Sequence, residues 1–188
     1  MSPFPTLSEA ERLARLEPPQ QPVAMVLDTD TYNEIDDQFA LVYALLSPES
    51  IELRGVTAAP FFNSRSTSAA DGMEKSYQEI VRIIELMGFA GRVPAFRGAT
   101  SFLPAPSVPV RSDAVDFIIA EAKRARSRGE KLFVMSIGAI TNLASALLIA
   151  PDIAGDIVSV WLGGHDHDNG DRSEEHTSEF QSRLHLVC

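Results

Sequence analysis

The sequence predicts an α/β fold, a mainly parallel sheet with helices on both faces. Three observations lead there. Apolar runs of strand length recur at residues 23–27, 51–59, 131–137 and 157–164, and segments of helical periodicity separate them. The first run, VAMVL, is apolar on both faces, as a strand buried within a parallel sheet requires. Strands alternating with helices in this way form a Rossmann-like sheet, whose functional groups collect beyond the strand C-termini.

Residues 1–22 read as an N-terminal arm, in which SEAERLARL (8–16) forms a short amphipathic helix. PPQQP ends it, because proline removes a donor and restricts the residue before it. VAMVL then leads through Asp28 into an acidic loop. Asp36 and Asp37 open a helix through QFALVYALL, with Phe39, Val42, Tyr43 and Leu46 as its expected apolar face and the acids beside its positive N-terminus.

IELRGVTAA (51–59) is the second strand, and residues 74–87 form a helix with Tyr77, Ile80, Val81, Ile84 and Met87 inward and Gly88 as its stop. VPAFRGA (93–99) is a weak, short strand, and a proline-rich surface loop follows it. Ser112 caps a helix whose stripe is Val115, Ile118, Ile119 and Ala122, and the basic run 123–128 suits its C-terminal end as solvated surface. KLFVMSI (131–137) is the next strand. GAITN turns into a helix capped by Thr141 or Asn142, with Leu143, Ala146, Leu147 and Ala150 as its stripe, and IVSVWLGG (157–164) is the last strand.

At 188 residues and 45% hydrophobic, the chain can bury one core, so one domain is the expectation. The single cysteine, Cys188, excludes an internal disulfide and points to a cytoplasmic home. The N-terminus has no signal-peptide run, and nothing approaches the roughly 18 apolar residues of a membrane span. A net charge of −10 argues against a nucleic-acid partner, which would demand Lys and Arg for phosphates.

From Arg172 the chain loses all periodicity. Arg172–Glu179 can be encoded by AGA TCG GAA GAG CAC ACG TCT GAA, which resembles the adapter DNA of short-read sequencing. Residues 172–188 are therefore expected to be an artefactual tail, and a truncated domain is expected over 23–171.

The chemistry concentrates in DTDTYNEIDD, where Asp28, Asp30, Glu34, Asp36 and Asp37 crowd into ten residues after the first strand. Such crowding either raises pKa values or calls for a hard divalent cation, and all-oxygen ligands favour Ca²⁺ or Mg²⁺ over zinc. A solvated acidic loop with Asp36 as helix cap is the plainer alternative. His165 and His167 in GGHDHDNGD would suit a transition metal, but following two glycines they read instead as loop.

VLDTDTYNEIDDQFAL resembles the signature of the inosine-uridine preferring nucleoside hydrolases, a strand ending in Asp-x-Asp and an Asp pair opening the next helix. VTAAPFFN (56–63), VMSIGAITNLASAL (134–147) and VWLGGH (160–165) resemble the family at later strand ends, so the likeness spans most of residues 23–165. Thr31–Ile35 puts five residues between the two Asp motifs where the family usually has three, a spacing similar to that of a bacterial subgroup.

The resemblance implies calcium-dependent cleavage of the N-glycosidic bond of ribonucleosides, a role in purine or pyrimidine salvage, and a dimer or tetramer. By it, Asp30 is both a Ca²⁺ ligand and the base that activates the bound water, and Asp37 is a second ligand. The backbone carbonyl of Ile137 is a third, Asp36 and Asn63 hold the ribose, and Asp28 orients the loop. The leaving-group residues and a further metal-binding aspartate come from the family's C-terminal half. The 188-residue chain alone is therefore expected to be inactive or poorly folded.

Two alternatives stay open at this level. VLDTD also resembles the Asp-x-Asp strand of haloacid dehalogenase-like phosphatases, with Ser136 as a phosphate contact, although Tyr32 stands where that motif wants Thr or Val. A metal- or sugar-binding module without catalysis would keep the acidic loop and lack base release.

Overall fold

The structure, a computed structural model, describes residues 4–20 and 22–163. His165, His167 and the tail at 172–188 lie outside the described residues. Five parallel strands, β1 (Val23–Thr29), β2 (Ile51–Ala58), β3 (Ala95–Phe96), β4 (Leu132–Ser136) and β5 (Ile157–Trp161), form one sheet in the order β3-β2-β1-β4-β5. The helices are α1 (Glu9–Leu16), α2 (Ile35–Leu45), α3 (Ala69–Leu86), α4 (Asp113–Arg128) and α5 (Thr141–Ile149), with a 3-10 turn at Pro151–Gly155.

The two-residue alternation of β1 divides the core. Ala24 and Val26 meet Val115, Ile118, Leu143 and Leu147 from α4 and α5, whereas Met25 and Leu27 meet Leu41, Leu45, Ile80 and Ile84 from α2 and α3. Both layers are fully apolar at the centre, the arrangement that parallel strands need.

Local signals set the boundaries. Ser8 and Glu11 close a capping box on α1, which joins the body through a 3.0 Å bond from Arg15 Nη2 to the Gly155 carbonyl. Ser112 caps α4 by accepting from the Val115 amide, and Gly129, at φ 68°, ends it in the left-handed region. No described helix is long and apolar enough to cross a membrane.

Three expectations need correction. α3 begins at Ala69, five residues before the expected start, because Ser68 accepts from the Asp71 amide and caps an added turn, and Ile83 is buried where Val81 is only half-buried. α5 has no side-chain cap, since Asn142 lies inside the helix and its side chain turns to Asp28. α2 faces the sheet with Asp37, Leu41, Ala44 and Leu45, while Phe39, Tyr43 and Leu46 are exposed. Its rotation is fixed at the first turn, where Asp37 accepts a hydrogen bond from the hydroxyl of Thr29 at the end of β1.

Candidate active site

The strand order reverses at β1: the chain steps from β1 outward to β2 and β3, then returns to lay β4 and β5 on the other side. Open α/β sheets bind ligands in the crevice outside the strand ends at this point. Asp28 and Thr29 close β1, Ser136 closes β4, and Asp30 and Ile137 come immediately after them, linked by a bond from the Ile137 amide to the Asp28 carbonyl.

Asp28 is fully buried on the α5 side of the sheet. Its Oδ1 accepts from Thr57 Oγ1 at 2.7 Å and from Asn142 Nδ2 at 2.8 Å. Asn142 also donates to the Ala58 carbonyl at 3.0 Å and accepts from the Ala99 amide at 2.8 Å, so one amide ties three loop ends together. Burial pushes the Asp28 pKa up to about 6, against the lowering effect of those donors. The Ser136 hydroxyl also favours the charged form, yet it and Asp28 Oδ2 lie outside hydrogen-bond geometry of any partner.

On the opposite face, burial pushes Asp37 up to about 7. Thr29 and the Asp30 amide favour its charge, and the nearby charges acting on it, Asp36 and Glu34, are both negative. A buried carboxylate among other carboxylates is the electrostatic complement of a cation.

Asp30 is 7% exposed and sits between two constraints. Asn33 Nδ2 donates to its Oδ2 at 3.1 Å. On its other side, a Cβ added at Gly138 would lie 2.8 Å from Asp30 Oδ1, so only glycine leaves this carboxylate its place. Asn33 Oδ1 in turn accepts from Asn63 Nδ2 at 2.7 Å, and the Arg65 guanidinium donates to the Asn33 carbonyl. Asp30, Asn33 and Asn63 are thereby joined in one line across the crevice.

The structure thus brings Asp30, Asp37 and Asn63 to one end of the sheet, with Ile137 beside them and Asp36 exposed at the head of α2. Asp28 does not join them, since it is sealed on the other face. Among the described residues no three acidic, histidine or cysteine side chains converge as a metal-ligand set. The donors available at Asp30, Asp37 and the Ile137 carbonyl are all oxygen, and the absence of a side chain at Gly138 leaves the Asp30 carboxylate room to stand beside the end of β4. That chemistry fits a hard divalent cation whose remaining positions other groups complete. Asn33, Asn142, Thr57 and Gly138 escaped sequence reasoning. Only Asn142 carried a signal, and it was that of a helix cap.

A family model described as inosine-uridine preferring nucleoside hydrolase matches residues 25–181. Among solved structures, the purine-preferring ribonucleoside hydrolase from Gardnerella vaginalis is 28% identical, with 76% of this chain aligned to 49% of that one at a TM-score of 0.55. The inosine-uridine preferring nucleoside hydrolase from Bacillus anthracis is 22% identical over 88% of this chain and 61% of its own, with a TM-score of 0.56. The type III effector XopQ, solved with adenosine diphosphate ribose, is 20% identical over 99% of this chain and 60% of its own, with a TM-score of 0.61. The last two likenesses speak to the fold alone. The chain spans about half to three fifths of the length of these structures. No curated protein sequence matches it.

Proposed function

The chain belongs to the inosine-uridine preferring nucleoside hydrolase family, and from that premise we propose that its parent polypeptide, this chain continued to the length of its relatives, cleaves the N-glycosidic bond of ribonucleosides. The observation that carries the reading is the line Asp30–Asn33–Asn63 beside the buried Asp37 at the strand-order switch.

Asp30 is the base in this account. Asn33 holds its Oδ2, so the carboxylate keeps one orientation and can take a proton from a water that attacks the anomeric carbon. Its negative charge also favours the positive charge that builds on the ribose ring as the bond to the base breaks. Asn63 and the exposed Asp36 hold ribose hydroxyls, and Asp28 keeps the end of β1 in register from below. Asp30, Asp37 and the Ile137 carbonyl would hold the cation, with Ca²⁺ the ion that suits such a donor set. When bound, it would neutralise the crowded carboxylates, acidify water and orient the sugar. Protonation of the departing base falls to residues beyond this chain. The setting we propose is nucleoside salvage in the cytoplasm by a homo-oligomer, with residues 23–171 as part of the hydrolase domain and 172–188 as a foreign tail, the first ten residues of which fall inside the family match.

A phosphatase is disfavoured by burial. Its nucleophile would be Asp28 and its phosphate contact Ser136, and both are fully buried where no phosphoryl group can reach. Ribose release from a panel of nucleosides by the parent polypeptide tests the reading: turnover is expected, with a loss of roughly 10²–10⁴-fold in Asp30→Asn. Absence of ribose from every nucleoside, in a protein that is folded and supplied with calcium, would refute it.

A further inference from the structure

Met25, Leu27 and Thr29 share one face of β1, the face toward α2, because successive side chains of a strand alternate. The first two are apolar. Thr29 is not, although it is fully buried. Valine would fill nearly the same volume in that row and bring no hydroxyl to satisfy, whereas a buried hydroxyl costs free energy unless it is hydrogen-bonded. The contacts of the Thr29 hydroxyl show what it serves.

Thr29 Oγ1 donates to Asp37 Oδ1 at the head of α2, and it lies 2.9 Å from the hydroxyl oxygen of Thr31, which is also fully buried. Counting protons gives the direction of this chain. An ionised carboxylate can only accept, so the one proton of the Thr29 hydroxyl goes to Asp37. The contact between the two threonines must then use the proton of Thr31. Thr31 thereby turns the Thr29 hydroxyl toward Asp37, and Thr29 in turn holds the carboxylate. Burial opposes the ionised form of Asp37, and the Thr29 hydroxyl is the strongest group that favours it.

We infer that Thr29 and Thr31 are positioning residues of the cation site, acting in series to hold the Asp37 carboxylate in the orientation that receives the ion. The inference rests on the cation reading above. Partners that orient a metal ligand typically change affinity by roughly 10–100-fold when removed. Thr29 touches the ligand directly, and Thr31 works only through Thr29, so the two losses cannot be independent.

Calorimetric titration of Ca²⁺ into the parent polypeptide tests it, with Thr29→Val, Thr29→Ser, Thr31→Val and the double valine variant, each shown to be folded by its melting curve. Thr29→Val is expected to bind roughly 10–100-fold more weakly, and Thr29→Ser, which keeps the hydroxyl, within about threefold of the wild type. Thr31→Val should lose affinity by a smaller factor. The double variant should be no weaker than Thr29→Val alone, since residues in one hydrogen-bonded chain do not act additively. Wild-type affinity in both single valine variants, or losses that multiply in the double variant, would overturn the inference and leave the cation site standing. If Thr29→Val does not fold, Thr31→Val decides, and affinity equal to the wild type overturns the inference. A wild type that takes up no Ca²⁺ would overturn both the inference and the site it rests on.

Discussion

Asn142, in the first turn of α5, donates to the buried Asp28 carboxylate at 2.8 Å across 114 residues of sequence. The pair bridges the two halves of the sheet on either side of the switch point. Removing Asn142 leaves the buried Asp28 carboxyl with Thr57 as its remaining donor and orphans the Ala99 amide. Asn142→Ala should therefore lower stability by about 2–4 kcal/mol, read from urea denaturation. A change under about 0.5 kcal/mol would mean that the network relaxes freely.

The pH dependence has an unusual sign. Asp28 and Asp37 are raised from 3.8 to about 6 and about 7, so the folded chain holds their protons more tightly than the unfolded one. Their contribution is fully present below pH 3.8 and is lost as pH rises through about 6 and about 7. Metal-free protein should be less stable at pH 8 than at pH 5, by on the order of 3 kcal/mol. Thermal melts across this window check the prediction, and saturating Ca²⁺ should flatten the slope by binding the ionised forms.

Gly138→Ala should displace the Asp30 carboxylate, because the new methyl would stand 2.8 Å from Oδ1. The overpacking costs about 1–3 kcal/mol of stability. Divalent-cation affinity should drop by roughly 10–100-fold, the range seen when the support of a ligand is lost. Calorimetric titration of wild type and variant separates the two effects.

Asn33 and Asn63 should divide kinetically, although they share a hydrogen bond. Asn33 touches Asp30, so Asn33→Ala is expected to reduce kcat as the base loses its orientation. Asn63 donates to Asn33 and is placed on the ribose, so Asn63→Ala should chiefly raise KM for the nucleoside. Steady-state kinetics on the parent polypeptide reads both, and a reversed pattern would reassign the two residues.

The strands were legible because a parallel sheet buries both faces and writes its strands as unbroken apolar runs. The acidic loop was legible because five carboxylates in ten residues are costly without a purpose. Periodicity failed at α2 for a physical reason: a helix apolar all round has no single stripe, and the Asp37–Thr29 contact sets which side meets the sheet. Asn33 was invisible because its role arises only when the loop folds back on Asp30. Asn142 looked like a cap because its position fits one, while its side chain serves a carboxylate brought close by the fold. Gly138 gave no signal, since the crowding that demands glycine comes from a residue 108 positions earlier in the chain.

In the proposed site Asp30 and Asp37 share one hard cation at the end of β1. Isothermal titration of Ca²⁺ into the metal-free parent polypeptide tests it most directly, with Asp30→Ala and Asp37→Ala alongside. A single site is expected in the wild type, abolished in both variants, with proton release at pH 7 as the raised carboxylate of Asp37 ionises. Undetectable uptake by the wild type, or uptake unchanged in either variant, would contradict it.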